Sequence, residues 1–171
     1  MPVLKYLTPD FIYDNIYKIN FDELKKNNIK GLIFDIDNTL VSYEQPDPVP
    51  EVVELMSSLK DGGFYICFIS NNNKQRVDLF NRSFKYPAFY NARKPSVRLF
   101  KEAVNSINIK TENIAVIGDQ LFTDVIAAKR MNMTAVLVKP IEPVESLFFK
   151  IKRLGEKPFI RRYYRKNLNK N

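Results

Sequence analysis

Apolar residues in this chain fall into short continuous runs, each cut off by polar residues. Leu32, Ile33 and Phe34 run into Asp35, Ile36, Asp37, Asn38 and Thr39. Phe64 to Ile69 halts at Ser70-Asn71-Asn72-Asn73, Ile114 to Ile117 at Gly118-Asp119, and Thr134 to Val138 at Lys139-Pro140. Runs of this length are too short for helices and do not alternate, so they predict strands buried on both faces. A short extended piece, Ala88 to Asn91, leads to Arg93-Lys94-Pro95. Helical patterns separate the runs. One opens at Pro50, carries Val52, Val53, Leu55, Met56 and Leu59, and ends at Gly62-Gly63. Others cover about Lys74 to Arg82, about Ser96 to Ile107, and the stretch holding Val125 to Ala128 and Met131; a last one starts near Pro143. At the front, Thr8-Pro9 followed by Phe11, Ile12, Ile16 and Tyr17 predicts an N-capped amphipathic helix, with a second short helix at about 21–27.

Strand alternating with helix predicts an α/β fold of three layers, α/β/α, around a parallel sheet of about five strands. Ligands of such sheets bind beyond the carboxyl ends of the strands. The polar residues collect there: Asp35 and Asp37, Ser70 with the amides of Asn71 and Asn72, Lys94, then Asp119 and Asp124. Side chains two apart in a strand share a face, so Asp35 and Asp37 project together while Ile36 faces the core. Taken singly, each has a plain reading: Ser70 as a helix cap, Lys94 as a solvated lysine, Asp119 as a turn residue, Asp124 as a first-turn acid. Their shared position at one sheet edge argues for a site. Neighbouring carboxylates in a dry place repel one another, and a bound cation relieves that repulsion. Mg²⁺ takes a few carboxylates and keeps water. A carboxylate can attack phosphorus, a second can move the proton, and a hydroxyl, amides and a lysine can steady the phosphoryl oxygens.

Composition narrows the chemistry further. The chain of 171 residues has no histidine, which excludes Ser-His-Asp and Cys-His catalysis and His-ligated zinc. Cys67 is the only cysteine, so no intrachain disulfide forms and a reducing, cytoplasmic setting is expected. No apolar run is long enough to span a bilayer, and the N-terminus lacks a long apolar signal region. Charge is placed unevenly. The last 22 residues hold nine basic residues and one acid, leaving 18 of each sign in the first 149.

The order D-I-D-N-T, S-N, R-K-P and G-D-Q-L-F-T-D resembles the four motifs of the haloacid dehalogenase (HAD) superfamily phosphatases, over roughly residues 30–140. The resemblance implies that Asp35 is nucleophile and metal ligand. It makes Asp37 the general acid/base, which also gives its backbone carbonyl to the metal. Thr39 supports the loop and is grouped with Ser70, Asn71 and Lys94 at the phosphate. Asp119 and Asp124 complete a Mg²⁺ site with Asp35 and Asp37. An Asp at the second motif position marks phosphatases rather than transport ATPases in this family. The spacings leave no room for a cap domain, so an open site is expected.

Within the superfamily the chain is similar to the capless subclass IIIA and its YqeG-type bacterial members, and through them to mitochondrial phosphatidylglycerophosphate phosphatases. That implies a Mg²⁺-dependent phosphoric monoester hydrolase, with phosphatidylglycerophosphate as leading substrate and a place in phospholipid biosynthesis. A soluble nucleotide or sugar phosphate is the alternative. The expected organisation is an N-terminal helical segment (1–28), the phosphatase domain (29–148) and a basic, aromatic C-terminal helix or tail (149–171). In that tail Phe148, Phe149, Ile151, Leu154, Phe159, Ile160, Tyr163, Tyr164 and Leu168 are interleaved with lysines and arginines. Such a segment suits the anionic inner face of a membrane, through residues 148–168. Packing back onto the domain, or binding nucleic acid or the ribosome, would use the same ingredients.

Overall fold

The computed structural model describes residues 3–142 and 147–168. In chain order the elements are α1 (Val3–Tyr6), β1 (Phe11–Tyr13), a 3₁₀ turn (Ile16–Lys18), α2 (Phe21–Lys26), β2 (Gly31–Phe34), α3 (Pro50–Asp61), β3 (Tyr65–Ile69), α4 (Lys74–Asn81) and β4 (Ala88–Phe89). Then come α5 (Arg98–Ile107), β5 (Ile114–Gly118), a π-type turn (Leu121–Val125), α6 (Ile126–Arg130), β6 (Thr134–Val138) and α7 (Leu147–Leu168). The expected helix start near Pro143 lies outside the described residues.

Six strands form one parallel sheet in the order β1-β6-β5-β2-β3-β4. Its helices cover both faces. Leu32 and Phe34 of β2 point into one core with Val52, Met56 and Leu59 of α3 and Val77 and Phe80 of α4. Ile33 points to the other, with Leu99, Phe100 and Ala103 of α5 and Ala127 and Ala128 of α6. That is why the strand runs are apolar without alternation. After β2 the chain builds outward through β3 and β4, then returns to β5 on the other side. The switch point therefore falls between β2 and β5, where such sheets bind ligands. Among the described residues no cap domain is inserted.

The sheet has six strands rather than about five because the helix expected over 8–17 is not one. Phe11–Tyr13 is a strand paired with β6 in register Phe11 to Val136. The spacing of Ile12 and Ile16 imitates a helical turn, but the edge of β6 needs hydrogen-bond partners and β1 supplies them. Phe11 and Tyr13 pack on one core and Ile12 on the other, a period of two. Asp10 fixes the junction: its backbone N–H donates to Ala135 O (2.9 Å) and its Oδ2 accepts from Ala135 N (2.7 Å). The segment expected to be helical over 1–28 thus contributes the outer strand.

Candidate active site

β2 ends at Phe34, and the next residues make a tight turn. The Ile36 carbonyl accepts from the N–H groups of Thr39, Leu40 and Val41, at 3.3, 2.9 and 3.3 Å. Asn38 takes a left-handed φ of 67°, which asparagine tolerates better than most residues. Its side chain pairs with the backbone of Glu142 in both directions, at 2.8 Å each, and so ties this turn to the loop after β6. Ile36 is fully buried, as the alternation requires.

The expected residues do meet, in two sets. Lys94 Nζ sits 2.5 Å from Asp35 Oδ1 and 2.6 Å from Asp124 Oδ1, and also donates to Ile69 O (3.3 Å). Thr39 Oγ1 donates to Asp35 Oδ2 at 2.9 Å, so its hydroxyl serves the carboxylate. Asp35, Asp119 and Asp124 each bring an oxygen within 4.8 Å of the others, and all three are buried. Asp37 belongs to the second set: its Oδ2 accepts from Ser70 Oγ (3.1 Å) and Asn72 Nδ2 (3.4 Å). Its carboxylate stands outside the metal-capable cluster. Asn71 turns its side-chain oxygen to Lys94 N (2.7 Å) and so shapes the Lys94 segment.

Gly118 lets the cluster close. A Cβ there would lie 2.3 Å from Asp124 Cγ, so only glycine admits this aspartate. Asp124 Oδ2 also accepts from Gln120 N and Thr123 Oγ1, at 3.2 Å each.

One lysine faces three carboxylates, and the titration of the cluster reflects it. Burial would lower the Lys94 ammonium, but Asp124 and Asp35 overcome that and raise it above the usual lysine value, so it stays charged. For Asp35, burial pushes the carboxyl up; Lys94 opposes this, while Asp124 and Asp119 add to it, and the result is about 7. The donor set fits a hard dication such as Mg²⁺: oxygen ligands only, with negative charge in excess of the single lysine.

A metal-free pH dependence follows. Because the folded Asp35 carboxyl titrates near 7 against 3.8 when free, its contribution to stability is full below pH 3.8 and lost as pH rises through 7. Mg²⁺ competes with that proton. The rise in Tm on adding Mg²⁺ should therefore be larger at pH 8 than at pH 5.5. Equal shifts in thermal melts at the two pH values would count against this cluster as the metal site.

Three residues at or around the site, Arg76, Tyr43 and Glu156, were not part of the strand-end pattern, and Asn72, which was, has a further partner. Arg76 of α4 places its guanidinium 2.9 Å from Asp37 Oδ1. Asn72 donates to the same carboxylate from its side chain. Tyr43, in the loop after the turn, is partly exposed, and its phenol is pushed up to about 12 by partial loss of water and by the charges of Asp119, Asp35 and Asp37. Glu156 of α7 is buried, and its Oε1 accepts from Leu121 N (2.9 Å) and Phe122 N (3.5 Å) in the turn between Asp119 and Asp124. As the one acid in a basic tail, Glu156 was the only one of those three that the sequence set apart. Its neighbour Gly155 lies against the Phe122 ring, which also meets Phe159 edge-on at 6.3 Å. Glu156→Ala should raise the Mg²⁺ concentration for half-maximal activation about tenfold. Glu156→Gln keeps an accepting oxygen and should stay near wild type; equal loss in both variants would refute the role.

Fold and site together define a HAD-like hydrolase. A family model described as HAD-hydrolase-like matches residues 91–140. The chain is 36% identical over 162 residues to the Bacillus subtilis protein described as "Probable phosphatase YqeG", covering 95% of this chain and 94% of that one. It is 27% identical to the glyceraldehyde 3-phosphate phosphatase of Pyrococcus furiosus, covering 81% of this chain and 62% of that one. Two solved structures share the fold. A HAD phosphatase from Thermococcus onnurineus has a TM-score of 0.56 at 16% identity, over 70% of this chain and 90% of that one. A HAD family enzyme from Bacteroides thetaiotaomicron, solved as a magnesium complex, has a TM-score of 0.52 at 13% identity, over 71% and 98%. The chain belongs to the HAD-like phosphatase family. It is a phosphoric monoester hydrolase of that family.

Proposed function

We propose that the protein hydrolyses phosphomonoesters through a covalent phosphate on Asp35, with phosphatidylglycerophosphate as its leading substrate. The observation that carries the chemistry is the division between the two aspartates. Asp35 sits with Lys94 and the acidic cluster, whereas Asp37 sits with Ser70 and Asn72. In the first step an Asp35 oxygen bonds to phosphorus, the bond to the leaving oxygen breaks, and Asp37 gives that oxygen its proton. In the second, Asp37 takes a proton from water, whose oxygen displaces phosphate from Asp35. Ser70 and the backbone amides after it steady the phosphoryl oxygens, and Lys94 keeps the Asp35 oxygen in place. Mg²⁺ held by Asp35, Asp119 and Asp124 would neutralise the cluster and the incoming phosphate dianion.

For the lipid, the supporting observation is α7. Glu156, Phe159, Ile160 and Tyr163 turn toward the domain, and the Tyr163 hydroxyl donates to Asp10 O at 3.3 Å. The opposite side exposes Ile151, Leu154 and Tyr164 among Lys150, Lys157, Arg161, Arg162 and Arg165. Apolar and cationic groups on one outer face suit an anionic bilayer, at about 1 kcal/mol per basic residue. No helix among the described residues is long and apolar enough to cross a membrane, so the association proposed is peripheral, on the cytoplasmic face. The side chains of Phe148, Phe149, Lys152, Arg153, Lys166 and Leu168, also part of the expected membrane segment, lie outside the described residues.

The test is phosphate release from phosphatidylglycerophosphate in mixed micelles, against a panel of soluble phosphates, with and without Mg²⁺. Deleting the tail would remove Glu156 from the site, so the membrane arm uses Arg161→Glu/Arg162→Glu/Arg165→Glu. Turnover of the lipid should fall in that variant and turnover of p-nitrophenyl phosphate should not. The likeness to a glyceraldehyde 3-phosphate phosphatase favours a second reading, a small soluble phosphate. Efficient turnover of such a compound, with none of the lipid, would establish it.

A further inference from the structure

Arg76 lies in the first turn of α4, where Asn73 caps the helix by accepting from Arg76 N at 2.9 Å. Its side chain makes three polar contacts. Nη1 donates to Pro46 O (2.8 Å), Nη2 donates to Gln45 O (2.8 Å), and Nη2 lies 2.9 Å from Asp37 Oδ1. Below it, the Phe80 ring centroid is 6.0 Å from the guanidinium carbon. The side chains of Arg76 and Asp37 are only 12% and 7% exposed, so both charges have left most of their water.

A buried ion pair is a poor source of stability, because desolvating two charges cancels much of their attraction. This one is also imperfectly bonded: Asp37 Oδ1 and Arg76 Nε are buried without a well-directed hydrogen bond. Asp37 Oδ2, by contrast, is engaged by Ser70 and Asn72. The carboxylate is therefore held at one oxygen by hydroxyl and amide donors and at the other by proximity to a fixed charge. A group that must give and take a proton needs one oxygen that is oriented but not consumed.

We propose that Arg76 is a positioning residue for the reaction: it sets the orientation of Asp37 and, through the carbonyls of Gln45 and Pro46, ties the 42–49 loop to α4 at the rim of the site. A flexible lysine could not hold all three points, whereas the planar guanidinium does. With no cap domain among the described residues, this side chain joins Asp37 to the loop that carries Gln45 and Pro46. The inference rests on the reading of Asp37 as acid/base.

The test compares two esters. Nitrophenolate leaves without needing a proton; an alkoxide needs one. With Mg²⁺ saturating, kcat/KM is measured on p-nitrophenyl phosphate and on hexyl phosphate, for wild type, Arg76→Gln, Arg76→Lys, Asp37→Asn and Asp37→Asn/Arg76→Gln. Arg76→Gln should lose about thirtyfold on the alkyl ester and about threefold or less on the aryl ester. The double variant should be no worse than Asp37→Asn alone, because the arginine acts through that carboxylate. The ratio of the two esters does not depend on how much of a variant is folded, and Arg76→Lys should shift it in the same direction. Equal losses on both esters would overturn the inference, as would losses that multiply in the double variant. If Asp37→Asn itself kept full activity on hexyl phosphate, the acid/base reading would fall instead.

Discussion

Asp35→Asn should remove turnover by at least about a thousandfold and leave no covalent phosphate on the protein. The amide is uncharged, and its oxygen is far too weak a nucleophile to attack phosphorus. Loss of fold is not expected to explain it. Asp35 is a buried carboxyl whose ionisation is opposed by its surroundings, so a neutral side chain there relieves the metal-free protein above pH 7. Lys94 keeps Asp124 as its partner. Thermal melts without Mg²⁺ should therefore show Asp35→Asn at least as stable as wild type at pH 8. Wild-type protein quenched in acid during turnover should carry a hydroxylamine-labile phosphate, and the variant should carry none. A labelled Asp35→Asn protein, or one with full activity, would end the covalent mechanism.

Lys94→Met carries the second large effect, and it falls on stability as well as rate. The substitution leaves Asp35 and Asp124 buried with no cation between them. Removing one partner from a buried ionic group costs about 3–5 kcal/mol. Urea unfolding without Mg²⁺ should register that loss at pH 8. Mg²⁺ should restore part of it, since a dication among the same oxygens replaces some of the missing charge. Turnover should still fall by about a hundredfold or more with Mg²⁺ saturating, because the ammonium that steadies the Asp35 oxygen is gone. Lys94→Arg should not rescue, as a planar fork cannot take the place of a compact ammonium reaching two carboxylates and the Ile69 carbonyl. A Lys94→Met protein as stable and as active as wild type would remove the lysine from the account.

What the sequence could reveal depended on how local each cause was. A buried apolar strand that stops at polar residues is a local event, so β2, β3, β5 and β6 were legible, and with them the positions of Asp35, Asp37, Ser70, Asp119 and Asp124. Lys94 was legible as a lysine beside a proline after an extended piece, though nothing local indicated that it would reach two carboxylates. β1 was not legible, because Phe11, Ile12 and Ile16 fit a helical turn as well as a strand; the decision belongs to β6, more than a hundred residues away. Arg76 looked like one more charge on a polar helix. Its meaning comes from Asp37 and from the Gln45 and Pro46 carbonyls, none of which is near it in sequence. Glu156 stood out as an acid among bases, yet its partners are backbone N–H groups, which no side-chain pattern announces.

The pairing of β1 with β6 also sets a timetable. Phe11 meets Val136, made more than a hundred residues after it. At about 5–20 residues per second of synthesis, that strand waits on the order of ten seconds for its neighbour to emerge from the ribosome. Until then Phe11, Ile12 and Tyr13 have no sheet to join. The β2–β3–β4 half, by contrast, closes through neighbours in sequence. Folding on the ribosome should therefore proceed outward from β2, the strand that leads into Asp35, with β1 among the last strands to dock. In the interval the growing chain exposes a short aromatic segment that a chaperone can hold.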